Sequence, residues 1–186
     1  GAMISNIGSK MTYTESAERD FIPMNIRLGS AWKVDLDKYN TFGLVFDINK
    51  LLVPTPPSYD SANNIEAGKD PNRSVVASIF DSWGDAPGGF NEELREFTYS
   101  TGLEYWYDKQ FALRGGYFFE HATKGNRKYF TLGLGVKYNV FTVDFAYLVP
   151  TVQRHPLENT LRFTLHFDFN AFKGKKSVKL TVILST

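Results

Sequence analysis

The side chains best suited to acid–base or metal chemistry are His121, His155 and His166, and their spacing serves neither. A zinc site needs ligands clustered at short intervals, usually with cysteine, and this chain has no cysteine at all. The same absence excludes disulfides and thiol catalysis. The histidines therefore read as structural or solvated. Ser82 and Ser100 lack the strand–turn–helix setting that exposes a catalytic serine. Gly133-Leu134-Gly135 falls inside a strand pattern, so it reads as room within a sheet and not as a phosphate-binding loop. Asp35 and Asp37 lack the other ligands of a calcium loop and read as turn residues. The remaining charges fall together. Glu104, Arg114, Glu120, Lys137, Asp144, Arg162, His166 and Asp168 occupy polar positions of alternating segments. They suit a hydrated or ion-paired lining, and the sharper alternative is a ligand site. No catalytic, metal or cofactor site is assigned, and the chain is expected not to be an enzyme.

The elements that carry these charges are strands. From Phe97 to Phe169 apolar and polar residues alternate almost without a break. Phe130, Leu132, Leu134, Val136 and Tyr138 stand against Thr131, Gly133, Gly135 and Lys137, and Leu103/Tyr105, Leu113/Tyr117 and Leu161/Phe163/Leu165/Phe167 repeat the pattern. Side chains alternate across a strand, so each run has one apolar and one polar face. Strands are expected over 3–13, 22–34, 39–50, 96–108, 110–120, 128–139, 140–149 and 160–169. Tight connections at 35–38, 108–109 and 139 alternate with longer ones at 14–20, 51–95, 121–127 and 150–159. That parity, with strands about ten residues long, predicts an antiparallel up-and-down outer-membrane β-barrel of about eight strands.

Composition agrees with a membrane setting. A net charge of +1 with interspersed signs gives no electrostatic case for nucleic acid. Aromatics at 16% exceed what a core requires, and girdles at two membrane interfaces would account for the surplus. Apolar runs are too short for a membrane-spanning helix. Gly1-Ala2-Met3 reads as a vector-derived lead, so the barrel domain is placed at 4–172, with 173–186 a basic tail or one extra short strand.

The long connection 51–95 stands apart. Pro54, Pro56 and Pro57 forbid helix and inner strand at its entry. Residues 74–83 read as a short amphipathic helix capped by Asn72 or Ser74, with Val75/Ile79 and Val76/Phe80 spaced i,i+4. Ala86-Pro87-Gly88-Gly89 ends it, and 90–96 offers one more helical turn. Loops this long usually have a job. Pro54, Pro56, Pro57, Ile79, Phe80, Trp83, Pro87 and Phe90 form the candidate partner-binding surface.

Several stretches resemble the PorV family of type IX secretion outer-membrane proteins, within the FadL-like barrel class. They are 21–29, Asp47–Pro57, Asp85–Phe90, Gly102–Tyr107 and Phe111–Phe118, and the pattern extends over nearly all of 4–172. The class is fourteen-stranded with an N-terminal plug, so the resemblance is to its C-terminal portion, or else to a short variant closing on itself. It implies a non-enzymatic shuttle in the bacterial outer membrane. Such a shuttle takes secreted cargo bearing a C-terminal signal domain from the translocon to a sortase-like attachment complex. The alternative it implies is a FadL-like transporter or binder of hydrophobic small molecules, in contact with outer-membrane lipid.

Overall fold

Alternation builds long strands here, and turn chemistry ends them. A computed structural model describes residues 1–12, 19–151 and 160–168, together with the backbone of 179–185. The strands are β1 (Ala2–Ser5), β2 (Asn25–Asp35), β3 (Asn40–Leu51), β4 (Ser58–Tyr59), β5 (Ile65–Ala67), β6 (Thr98–Tyr107), β7 (Phe111–Phe119), β8 (Lys128–Tyr138), β9 (Phe141–Pro150), β10 (Leu161–Asp168) and β11 (Lys179–Ser185). Two helices, α1 (Val75–Asp81) and α2 (Phe90–Arg95), lie between β5 and β6 in sequence. Nine strands form one sheet in the order β1-β2-β3-β6-β7-β8-β9-β10-β11, while β4 and β5 pair separately. The ladders β1·β2, β7·β8, β8·β9, β9·β10 and β10·β11 are antiparallel.

Turn residues act as their chemistry requires. Asp108 and Lys109 both have positive φ, 49° and 55°, as a two-residue hairpin between right-twisted strands demands. The Asp37 carboxylate accepts the backbone N–H groups of Tyr39 and Asn40, each at 2.8 Å, and so closes the β2–β3 turn. Aromatic partners stand opposite one another on β9 and β10. Phe145 and Phe163 have ring centroids 5.1 Å apart, and Phe141 and Phe167 4.9 Å.

Contacts divide the chain into two units. Residues 1–29, 47–99 and 120–125 form the first, and 30–46, 100–119 and 126–186 the second. In the second, the expected two-sidedness is present. Leu103, Leu113, Leu132 and Leu134 are each at least half exposed on one face. Ala112 and Leu148 are buried on the other.

The closed barrel expected from the sequence is corrected. β1 and β11 are the ends of the strand order and do not pair, so the sheet is open. β1 is only four residues long and covers only Asn25–Leu28 of the eleven-residue β2. The reading as a barrel that closes on its own strands falls with the closure. The first strand, expected over 3–13, is shorter, and Met11 instead makes an isolated bridge to Asp20. The β4–β5 hairpin was not anticipated. Its signal was Asp60, whose carboxylate accepts from the N–H groups of Ala62 and Asn64. His155, Phe169 and the basic run 173–176 lie outside the described residues.

Candidate functional site

The helices of the first unit are built the wrong way round for a water-facing surface. Ser74 caps α1, its Oγ accepting the N–H of Ala77 at 3.2 Å. The inward side of this helix is Ser78 and Ser82, both wholly buried. Their hydroxyls bond back to the carbonyls of Val75 and Ile79, so they need no partner across the contact and let α1 approach closely. Val76 and Phe80 point outward, 67% and 75% exposed, while Trp83, 48% exposed, lays its ring against Phe97 at 6.3 Å between centroids and over the Lys50 Nζ at 6.0 Å. Helix α2 repeats the inversion, with Phe90 and Leu94 outside and Glu93 buried.

Beneath these helices lies a buried charge network. Lys50, at the end of β3, is 1% exposed. Its Nζ stands 3.0 Å from Glu93 Oε2 and 2.5 Å from Glu96 Oε2, with the Phe97 ring centroid 5.4 Å away. The other Glu93 oxygen accepts the backbone N–H groups of Asp85 and Ala86 at 2.7 and 2.9 Å, fixing the turn before α2. Glu96 Oε1 accepts from Thr55 Oγ1 at 2.6 Å and Lys124 Nζ at 3.0 Å. Lys124 also reaches Glu92 at 2.7 Å. Burial alone would push the Glu96 carboxyl up, but hydrogen bonds from Lys50, Thr55 and Lys124 outweigh it and hold it below the usual range. Asp85 goes the other way. Burial pushes its carboxyl up, and the N–H of Thr55 and the guanidinium of Arg73, 3.6 Å away, do not offset it. The network ties β3, the proline segment, both sides of α2 and the 120–125 segment to one another. Its geometry is that of a scaffold that positions the helices.

The predicted contact residues all fall in this unit. Phe80, Trp83, Phe90 and Pro56 are exposed, while Pro54, Pro57, Ile79 and Pro87 are half-buried. Pro57 lies against Gly68, where an added Cβ would meet Pro57 Cα at 3.0 Å and where a φ of 95° also favours glycine. Val76 and Leu94 belong with the exposed group and were missed, although each lies i,i+4 from a named aromatic. Lys50, Thr55, Asp85, Glu93 and Lys124 were also missed. No local pattern marks charged residues for burial.

On the polar face of the second unit, the expected charges converge in part. Arg114 donates to Glu104 at 2.6 Å and to Asp144 at 2.5 Å, and His166 Nε2 lies 3.5 Å from Asp144. A Cβ at Gly135 would meet Asp144 Oδ1 at 2.6 Å, so this glycine makes room for the pair. Lys137 and Arg162 are exposed, and Glu120 belongs to the first unit.

A family model described as type IX secretion system protein PorV matches residues 1–58. No curated protein matches the chain. The match links the first part of the chain to an outer-membrane-associated family. It corrects the resemblance read over nearly all of 4–172, because it lies in residues 1–58 of this chain and ends before Asp85–Phe90, Gly102–Tyr107 and Phe111–Phe118, and it gives no support to a C-terminal PorV portion. Alternating strand words recur in unrelated sheets and carry little family information. The shuttle role and its transporter alternative are corrected with it. Both need a closed barrel, the sheet is open, and the match covers less than half of the chain.

Proposed function

We propose that this chain is a non-enzymatic binding protein of the bacterial outer membrane, which rests the apolar face of its sheet against lipid and offers α1 and α2 to a protein partner. The observation that carries the reading is the inverted helix pair. Val76, Phe80, Trp83, Phe90 and Leu94 are exposed, over a buried ion network that fixes their positions. Exposed aromatics on a preorganised frame are the usual anchors of a protein interface. The match of residues 1–58 supports the outer-membrane setting. Partners to test first are secreted proteins with a C-terminal signal domain, the translocon and the sortase-like attachment complex. The non-enzymatic character rests on the absence of cysteine and of catalytic spacing among the histidines.

The test is co-purification of the chain from outer membranes, with partners identified by mass spectrometry, against a Phe80→Ser/Phe90→Ser variant. Loss of a specific protein from the variant, with its circular dichroism unchanged, is the expected result. Recovery of the same proteins with both would overturn the helix surface as the contact.

A further inference from the structure

Two hairpins inside the second unit end side by side. Asp108 and Lys109 turn β6 into β7, and Asn139, with a φ of 51°, begins the turn from β8 into β9. Main-chain bonds lace these turns into a row. The Asp108 N–H reaches Tyr39 O, in the β2–β3 turn, at 2.7 Å, and the Lys137 N–H reaches Gln110 O at 2.7 Å. Between the two hairpin ends lies an open cleft of about 310 Å³, lined by Asp108, Lys109, Gln110, Lys137, Tyr138 and Asn139. Two ammonium groups stand there against one carboxylate, so positive charge is in excess. Among the described residues, neither Lys109 nor Lys137 has a carboxylate within ion-pair distance. Lys38, on the neighbouring turn, instead lies over the Tyr39 ring, 5.6 Å from its centroid. The apolar face of the sheet runs up to this cleft and ends there in Tyr107, Phe111, Tyr138 and Phe141, all exposed.

We propose that the cleft binds the phosphate of an anionic lipid headgroup, held by Lys109 and Lys137, with Tyr107 and Tyr138 at the level of the headgroups. The proposal rests on the reading of lipid as the cover of the apolar face. Tyrosine presents an apolar ring and a polar tip, which suits the boundary between hydrocarbon and water. A sheet end that carries two of them beside an apolar face belongs at that boundary, and a cleft opening there meets phosphate oxygens. Phosphate offers acceptors alone, which match two ammonium groups and the amide N–H donors of Gln110 and Asn139. A lipid without a cation of its own gains most, because nothing in its headgroup offsets the excess of ammonium over the Asp108 carboxylate.

Flotation of the full chain with two kinds of vesicle separates the cleft from the face. Phosphatidylcholine vesicles read the apolar face, and the gain in binding when phosphatidylglycerol is mixed in reads the cleft. Lys109→Asn, which keeps a residue tolerant of positive φ, and Lys137→Gln should each cut that gain about tenfold. The double variant should lose little more, because one phosphate uses both lysines. Lys38→Gln should cost no more than about fivefold, the diffuse attraction of one lysine to an anionic surface, and should multiply with either variant. Every variant should float with phosphatidylcholine as the parent does, which shows the sheet intact. Equal and multiplicative losses for all three lysines, or no gain from phosphatidylglycerol in the parent, would overturn the cleft as a site. Inorganic phosphate at constant ionic strength should leave the gain unchanged. If it abolishes the gain, the cleft takes free phosphate and lipid is overturned as the source. Failure of the parent to float with either vesicle would remove the lipid-covered face itself, and the proposal with it.

Discussion

Lys50 is the residue on which the first unit turns. Two carboxylates, Glu93 and Glu96, share its ammonium out of water, and each uses its other oxygen elsewhere, Glu93 on the turn before α2 and Glu96 on Thr55 and Lys124. Removing the cation leaves two buried negative charges with one partner fewer, which costs far more than a surface pair would. Lys50→Met should destabilise the first unit by about 3–5 kcal/mol, read from chemical denaturation followed by tryptophan fluorescence in a chain carrying Trp32→Phe and Trp106→Phe, so that Trp83 alone reports. A loss no larger than for a surface substitution would show that the network is not buried as described. The acid limb has a definite sign. Lys124 first, then the Gly88 N–H, hold the Glu92 carboxyl below its ordinary 4.5, and Glu96 is likewise lowered. Their stabilisation is complete above that value and is lost as pH falls through their folded pKa values. Asp85 opposes this. Its raised carboxyl favours the fold below 3.8, and the gain is lost as pH rises through its folded pKa. Glu96→Gln should flatten the loss of thermal stability below about pH 4.5. Asp85→Asn should steepen it, since the opposing contribution is gone. Identical acid limbs in the two variants and the parent would contradict these assignments.

At the scale of elements, the sequence was most legible where a pattern is local. The alternation through Phe130–Tyr138 gave β8 within a residue of its observed ends, and of the two caps the sequence offered for α1, Asn72 and Ser74, it is Ser74 that acts. Asp37 and Asp108 were visible as turn residues for the reason they act as such, a short carboxylate for backbone N–H groups or tolerance of positive φ. What was not legible depends on distant partners. The i,i+4 apolar pairs of α1 said that the helix has two faces, but only packing decides that Ser78 and Ser82 are the inner one. Lys50 meets Glu93 and Glu96 across 43 and 46 residues, and nothing near Lys50 in sequence separates it from a solvated lysine. Closure failed for the same reason. Strand alternation and loop parity are properties of neighbours, whereas a barrel requires the first and last strands to meet. Here β1 and β11 do not pair.

For the whole molecule, the question is what covers the apolar face. In β6 to β10 the residues on that side are Leu, Phe, Tyr, Val, Thr and Gly, with Lys128 at the first position of β8 the one charge. A protein interface of that breadth would ordinarily carry a polar rim, whereas lipid chains ask for none. Large exposed apolar patches mark a surface meant to be covered. Leu132 and Leu165 lie within this face, 59% and 39% exposed, and their neighbours Thr131 and Thr164 lie on the polar side. If lipid is the cover, Leu132→Lys or Leu165→Lys should markedly weaken flotation with vesicles of outer-membrane lipid, because each would set a charge against hydrocarbon, and Thr131→Lys or Thr164→Lys should leave it unchanged. The four variants change charge equally, so general electrostatic attraction to vesicles cancels in the comparison. Circular dichroism on each would confirm that the strands persist. Equal flotation of the leucine and threonine variants would remove lipid as the cover and leave the face to a protein.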